Sequence, residues 1–107
     1  MKCKQMDMIY NIFSGISPRQ SVIAIDILRL LFNKRKQGMD VLELNSYFKN
    51  RYIHSVGATL RWLKDMGYIV QLGSRGLGAR YVISLAGVQK HWEIQGKIAR
   101  RLSGYIV

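Results

Sequence analysis

The sequence predicts a mainly α-helical domain that carries one small β-hairpin. Apolar residues recur at helical spacing along most of the chain, two helix starts carry capping motifs, and a period of two appears only around residues 68–84. The length of 107 residues suits one domain. We divide it into an N-terminal helical extension (1–16), a core (17–85) and a C-terminal helix with its tail (86–107).

The first half of the chain predicts a short helix followed by a long one. Residues 4–14 suggest the short helix, and Gly15 ends it. Its apolar side holds Met8, Ile9, Ile12 and Phe13. The long helix starts at Ser17, which caps it, with Pro18 at the first helical position and Gln20 completing a capping box. This helix is apolar over most of its circumference, which predicts a central position, and Gly38 is its expected stop.

Two further helices follow, joined by a turn at residues 49–50. Asp40 and Glu43 form a second capping box for a short helix. Its core-facing residues are Val41, Leu44 and Phe48. The next helix covers about residues 51–66 and ends at Gly67. Its expected buried stripe is Ile53, Val56, Leu60 and Leu63.

The strands and the last helix complete the pattern. Residues 68–72 and 80–84 predict two strands, and the glycine-rich stretch GSRGLGA (73–79) between them predicts a hairpin with a flexible tip. A helix then runs from about residue 86 to 102 and leaves a short tail. Its apolar arc is Leu85, Val88, Trp92, Ile98, Ala99 and Leu102.

Charge and composition narrow the function. Seventeen Lys and Arg against six Asp and Glu give a net charge of +11 at pH 7, which favours an anionic partner. The single cysteine, Cys3, excludes a disulfide framework within one chain and suggests a reducing cytoplasm. No stretch is apolar enough for a membrane span. His54 and His91 have no ligand at metal-binding spacing and no acids form a close pair, so we expect no enzyme, no metal and no cofactor.

The order helix, helix, turn, helix, hairpin, helix carries a resemblance. The residues that carry it are VLELNSYFKNRYIHSVGATLRWLKDMGYIV (41–70) and RYVISLAGVQ (80–89). They resemble the winged helix-turn-helix, closest in pattern to the MarR-type transcriptional regulators. The resemblance implies that the second helix of the pair enters the major groove of DNA and that the terminal helices form a dimer. Ala58 departs from the polar residue that such proteins often have in the middle of this helix.

Helical geometry predicts which side chains of residues 51–66 face outward. With Val56 turned to the core, a rotation of about 100° per residue places five residues on or near the opposite, solvent side: Arg51, His54, Ala58, Arg61 and Asp65. The expected DNA contacts on this helix are Arg51, His54, Ser55, Gly57, Ala58, Arg61 and Trp62. Arg61 has the donors to bind guanine, and His54 or Ser55 to bind a base or a phosphate.

The wing (73–80) and the terminal helices supply the remaining candidate residues. Ser74, Arg75 and Arg80 are expected on a phosphate or in the minor groove. We expect a homodimer because the last apolar arc continues past the reach of a small wing. The expected interface residues are Met8, Ile9, Ile12, Phe13, Trp92, Ile98, Ala99 and Leu102.

The favoured function is therefore a homodimeric, sequence-specific binder of double-stranded DNA that regulates transcription, mainly as a repressor. A plasmid or phage partition, replication or excision factor would use the same fold. A protein-interaction module for an acidic partner, without DNA binding, is a third possibility. The sequence leaves the target site, the sign of regulation and any effector ligand open.

Overall fold

A helix of 17 residues, α1 (Pro18–Lys34), forms the centre of the fold. The computed structural model describes residues 13, 15–73 and 79–106, with residues 101–106 described by their backbone alone. A short 3-10 turn, Arg35–Gln37, follows α1. The remaining elements are β1 (Met39–Asp40), α2 (Val41–Tyr47), α3 (Ile53–Asp65), β2 (Ile69–Leu72), β3 (Arg80–Ile83) and α4 (Leu85–Ile106). The sequence prediction of a mainly helical fold with a small antiparallel sheet is confirmed.

Both predicted capping boxes are present. The Ser17 hydroxyl accepts a hydrogen bond from the Gln20 amide at 3.2 Å, and the Gln20 side chain accepts one from the Ser17 amide at 3.4 Å. The Asp40 carboxylate accepts from the Glu43 amide at 2.8 Å, and Glu43 accepts in return from the Asp40 amide at 3.3 Å. These bonds satisfy amides that have no partner within the helix, so the starts of α1 and α2 are set locally.

The sheet has three strands in the order β1-β3-β2, all antiparallel. In the hairpin, Ile69 pairs with Ile83 and Leu72 with Arg80. The sequence predicted this hairpin but not β1, in which Met39 pairs with Tyr81. Two residues are too few to show a period, so β1 exists only through its pairing with β3.

The core lies where α1 meets α3, α4 and β3. Its centre consists of side chains with no exposed surface or almost none. These are Ala24, Ile27, Leu28 and Leu31 from α1, Leu44 from α2, Val56, Leu60 and Leu63 from α3, Ile69 from β2 and Ile94 from α4. The expectation that α1 is covered on several sides is confirmed, since three elements pack on it.

Two predicted stripes are corrected by the structure. In α3 the stripe begins at Val56 and includes Thr59, whereas Ile53 is 50% exposed because it occupies the first helical position, where no neighbouring element covers it. Within residues 85–100 of α4 the buried positions are Gly87, His91 and Ile94, while Trp92 and Leu85 of the predicted arc are 59% and 75% exposed. Trp92 is large and apolar, so hydropathy predicts that it faces the core. Neighbouring helix positions are about 100° apart, and it is the preceding residue, His91, that faces the core.

The C-terminal end of α4 also differs from the prediction, because the helix continues through the predicted tail to Ile106. Near its start, Gly87 is required by packing. A Cβ at this position would overlap the Tyr68 carbonyl oxygen and approach Ile83 Cγ1 to 2.7 Å. The start of α4 therefore lies directly against the end of α3 and the sheet.

Several expectations fall outside the described residues. They are the helix at residues 4–14 with Met8, Ile9 and Ile12, and the wing tip with Ser74 and Arg75. The side chain of Leu102 is likewise outside the description.

Candidate nucleic-acid interface

A tight turn joins α2 to α3 and sets the direction of α3. Lys49 and Asn50 both adopt positive φ angles, 55° and 58°, which turn the chain sharply between α2 and α3. The Asn50 amide donates to the Asn45 carbonyl at 2.8 Å, and the Lys49 amide donates to the Ser46 carbonyl at 2.9 Å. These bonds stabilise backbone conformations that are otherwise unfavourable for residues with a Cβ. The orientation of α3 is thereby set relative to α2.

The basic face of α3 is defined here as His54, Gly57, Ala58 and Arg61 together with Arg51, and it is exposed throughout. The helix begins at Ile53 and not at the predicted residue 51, so Arg51 lies just before it. The opposite side of the helix carries the buried stripe that begins at Val56. The sequence prediction that this face points to solvent therefore agrees with the observed exposure. Lys64 and Asp65 continue the exposed surface at the end of the helix.

Gly57 lies in the middle of this face and packs against none of the residues that the structure describes. A Cβ at this position would meet no atom within 4 Å. Glycine inside a helix costs about 1 kcal/mol relative to alanine. Since no neighbour in the described structure requires glycine here, its presence is explained if another molecule approaches the backbone closely.

Beside the basic face lies a polar depression of about 640 Å³ between α3 and the sheet. Gly57 and Arg61 form its α3 side, and Gln71 and Tyr81 form its sheet side. Lys64 Nζ donates to Gln71 Oε1 at 3.2 Å and so bridges the two sides. The basic face thus continues into the first strand of the hairpin.

Ser55 and Trp62, which flank the basic face among the predicted contacts, also make contacts within the chain. Ser55 is half-buried, and its carbonyl accepts the Thr59 hydroxyl at 2.6 Å. Trp62 is also half-buried and packs edge-on against Phe13, with the ring centroids 5.2 Å apart. The Trp62 ring also lies 6.3 Å from Tyr68. Packing therefore leaves Trp62 only partly available to a partner.

Arg80 has a different position from the one expected of a wing residue. Its guanidinium donates to the backbone carbonyls of Gln37 and Gly38, both at 3.1 Å. It also forms ion pairs with Glu43 at 3.3 Å and with Asp40 at 3.8 Å. These described contacts hold β3 against the segment that enters α2, so Arg80 stabilises the base of the hairpin.

Two cationic groups, one beside the end of α2 and one beside the start of α3, were not among the predicted contacts. The Arg19 guanidinium lies 5.8 Å from the centre of the Tyr52 ring. Arg29 donates to the Tyr47 hydroxyl at 2.7 Å, and this hydrogen bond, with a smaller contribution from Asp26, raises the pKa of Arg29. Arg19 belongs to the capping motif of α1, and only the packing of α1 beside Tyr52 reveals its position near α3.

The predicted dimer residues are divided between the core and the surface. Phe13 is 3% exposed and packs within its own chain against Trp62 and Tyr68. Ile98 is half-buried against the core, whereas Trp92 and Ala99 are exposed on α4. The described part of the predicted surface is therefore reduced to the outer side of α4.

His91 lies in the core, as a packed histidine, and not at the basic face. It is 5% exposed and stacks on Phe32 with the ring centroids 4.5 Å apart. Burial lowers its pKa, and the positive charge of Arg29 lowers it further. The neutral imidazole is thus the form that the fold accommodates.

The described part of the chain holds neither a cluster of metal-ligating side chains nor a helix that could span a membrane. Within residues 13, 15–73 and 79–106, no three His, Cys, Asp or Glu side chains form a group that could hold a metal ion. In the same ranges, no helix combines the length and apolarity needed to cross a bilayer. No protein-family model, curated protein or solved structure matches the chain.

Proposed function

We propose that this chain is a winged helix-turn-helix protein, similar to the MarR type, that binds double-stranded DNA sequence-specifically and regulates transcription, mainly as a repressor. In this proposal α3 lies in the major groove, and the hairpin region 73–80 lies on the phosphate backbone or in the minor groove. The protein acts as a homodimer.

The order of elements supports this proposal. A helix, a short strand, two helices at a tight turn, a hairpin and a last helix follow one another, and the sheet order β1-β3-β2 joins the first strand to the hairpin. A helix-turn-helix pair presents its second helix to the major groove, and here that helix is α3.

The exposed basic face of α3 is the observation that carries the proposal. It combines cationic side chains with Gly57 and Ala58, on a protein whose net charge is +11. Long donors can reach base edges, while small residues let the helix backbone approach the groove floor. Positive charge supplies the affinity for phosphates that all duplexes share.

Particular residues of α3 suit particular base edges. Arg61 can donate two hydrogen bonds to the O6 and N7 atoms of guanine. Ile53, which is 50% exposed, and Ala58 offer apolar contacts for the methyl group of thymine. In the proposal these three side chains read sequence.

Phosphate contacts come from the residues around the start of α3. Tyr52, at the N-cap, makes no side-chain capping bond, and no acidic residue occupies the first turn. The partial positive charge of the helix N-terminus is therefore available to a phosphate, with Arg51 and Arg19 nearby. Ser74 and Arg75 remain candidates for the wing contact.

The homodimer is proposed to form through the outer side of α4. Trp92 is 59% exposed there, and one turn later a Cβ on Gly96 would meet only the end of the Arg100 side chain, at 3.7 Å. Ala99 follows on the same side and is also exposed. Two antiparallel copies of α4 would each insert Trp92 beside Gly96 and Ala99 of the other, which covers the indole and explains a glycine inside a long helix.

The test is a selection from random duplexes, read by sequencing and repeated at two salt concentrations. We expect one enriched, near-palindromic site with half-sites about one DNA turn apart. Affinity should fall steeply with salt, and a binding constant that does not change with salt would reject the proposal. Arg61→Ala should lower affinity for the selected site about tenfold, a loss of about 1.4 kcal/mol, and relax one base position.

Lys97→Ala in α4 is the matched control, because it removes one exposed positive charge from a different helix, on the side of α4 that pairs with Glu93. It should weaken binding to all sequences slightly and equally. Equal, sequence-independent losses from both variants would contradict the role of Arg61. A footprint that lengthens with protein concentration would favour the partition, replication or excision factor, and no DNA retention at physiological salt would favour the interaction module.

A further inference from the structure

The last residue of α1 and the 3-10 turn that follows it carry three consecutive cations. These residues, 34–37, are all exposed and are here called the cationic turn. Its charged members are Lys34, Arg35 and Lys36, and none of them belongs to an ion pair between residues for which the structure gives side chains. The cationic turn therefore presents concentrated positive charge to solvent.

The acids of the described residues leave this charge uncompensated. Four of them already pair with cations elsewhere in the fold, namely Asp26, Asp40, Glu43 and Glu93. A further acid, Asp65, is the last residue of α3. No acidic residue lines the depression that the cationic turn borders. The turn thus suits an anionic partner from outside the chain.

The backbone of Arg35 gives a second, independent reason to expect a function here. Lys34 completes the last turn of α1, where a cation stabilises the negative end of the helix dipole, but Arg35 lies beyond it, with φ 53° and ψ −125°. Residues with a Cβ rarely adopt this conformation, whereas glycine adopts it readily. Glycine would end α1 without strain, so an arginine at this position is explained if its guanidinium binds a partner.

Packing against β3 fixes the position of the cationic turn. Arg80 donates to the carbonyls of Gln37 and Gly38, both at 3.1 Å. A Cβ at Gly38 would overlap the Tyr81 carbonyl oxygen and approach Val82 Cγ1 to 2.8 Å, so the backbone lies directly on β3. A turn that is already held in place loses little backbone freedom when a partner binds.

The cationic turn and the basic face of α3 lie on opposite sides of the hairpin. Gln71 and Tyr81 are partners in the register and line the depression beside α3. Leu72 and Val82 are the next residues along each strand and line the depression that the cationic turn borders. Because successive side chains of a strand point to opposite faces, a straight duplex against α3 leaves the cationic turn uncovered.

We propose that the cationic turn binds the phosphate backbone of a second DNA duplex, so that the protein bridges two duplexes. Arg35 can hold one phosphate with two parallel N–H bonds, and Lys34 and Lys36 add point charges. Such contacts do not depend on sequence. When α3 occupies one duplex, the polyanion most concentrated around the exposed side of the protein is another segment of DNA. The bridge rests on the proposed function for its first duplex, whereas the second contact does not need α3.

Capture of a second duplex on beads tests the bridge. A biotinylated duplex with the selected site is immobilised and saturated with the full-length protein, and a fluorescent duplex of unrelated sequence is then titrated at several salt concentrations. We expect saturable retention of the fluorescent duplex. Replacing Lys34, Arg35 and Lys36 together by Gln should weaken this retention about tenfold and reduce its log–log salt slope by about 2.7, since each of three phosphate contacts contributes about 0.9.

Single and conservative variants separate a specific contact from total charge. Lys34→Arg with Lys36→Arg keeps the charge and should retain the second duplex like the parent. Arg35→Gly should raise the midpoint of urea unfolding, because backbone strain is removed, and at the same time weaken retention. Lys97→Gln, which removes an exposed charge from α4, is the control and should leave retention unchanged.

Failure of this inference is distinguishable from failure of the proposed function. Arg61→Ala should lower the amount of protein on the immobilised duplex but not the second duplex retained per bound protein, whereas the three-Gln variant should lower only that ratio. If no site is selected, anisotropy of the unrelated duplex with the parent and the three-Gln variant replaces the bead assay, and equal affinities overturn the inference.

Other outcomes also overturn it. Retention by the three-Gln variant equal to that of the parent would mean that the second basic face of a homodimer holds the duplex. A lower unfolding midpoint for Arg35→Gly would mean that the fold itself needs the arginine. Loss of binding to anionic phospholipid vesicles by the three-Gln variant, with retention of the second duplex intact, would assign the cationic turn to a lipid surface instead.

Discussion

Replacing Gly57 by alanine is expected to move stability and DNA affinity in opposite directions. Gly57 is inside α3, and a Cβ there would meet no atom within 4 Å. Alanine is favoured over glycine in an exposed helix interior by about 0.8–1.0 kcal/mol. We therefore expect Gly57→Ala to raise the free energy of unfolding by about 1 kcal/mol, and the Tm by about 4–8 °C for a domain of this size.

The same methyl group would occupy the space through which a base edge or phosphate approaches the helix. Inserting a methyl into a closely packed contact costs about 1–3 kcal/mol. At the lower end of that range, the affinity of Gly57→Ala for the selected duplex should fall about fivefold. Urea unfolding followed by circular dichroism measures the first effect, and fluorescence anisotropy with labelled duplex measures the second.

Ala58→Gly is the matched control on the same face. It removes a methyl, so it should destabilise the protein by about 1 kcal/mol. Its DNA affinity should fall only through loss of the thymine contact proposed for Ala58, because no added group blocks close approach. A stabilised Gly57→Ala protein that binds DNA as tightly as the parent would refute close contact at Gly57. A destabilised one would refute the packing argument, because it would mean that the chain itself needs glycine here.

Three further perturbations test the fold. Gly87→Ala should destabilise by about 3 kcal/mol in urea unfolding, since its Cβ would overlap the Tyr68 carbonyl oxygen; a neutral result would refute that packing. Arg80→Ala should lower stability by about 1–2 kcal/mol, because its bonds to two backbone carbonyls are lost; reduced DNA affinity at unchanged stability would instead place it on DNA. Burial, and then the charge of Arg29, lower the pKa of His91 in the folded protein. Below the usual histidine pKa of about 6.5, the His91 imidazole therefore binds a proton more readily in the unfolded chain than in the folded one. Stability should therefore fall as pH drops from 7 towards 5, and His91→Phe should reduce that slope, measured by unfolding at each pH.

The helix starts were predictable from sequence because capping is a local interaction. Ser17 with Gln20, and Asp40 with Glu43, each satisfy amides within one turn, so the pattern contains all the partners. The outward direction of the basic face followed from one correct inward residue, Val56. The rotation from one helix position to the next then gives the directions of the other side chains of α3.

The remaining features depend on partners distant in sequence. Ile53 fits the apolar spacing of α3, but only the packing of neighbouring elements decides that it is exposed. On α4, hydropathy favours Trp92 over His91, whereas the ring of Phe32 on α1 covers His91. The position of Arg80 in the sequence suggests the wing, whereas its carbonyl and carboxylate partners lie about 40 residues earlier in the chain, at Gln37, Gly38 and Glu43.

The two-residue strand β1 has a consequence for synthesis of the chain on the ribosome. Met39 and Asp40 find their strand partners only when Tyr81 and Arg80 have emerged, although α1, α2 and α3 are complete earlier. Until then the backbone of β1 has no sheet to join, and Met39, which is 6% exposed in the finished fold, lacks its cover. Protease added to stalled nascent chains should therefore cut around residue 39 until β3 has left the exit tunnel, and protection should then appear in a single step.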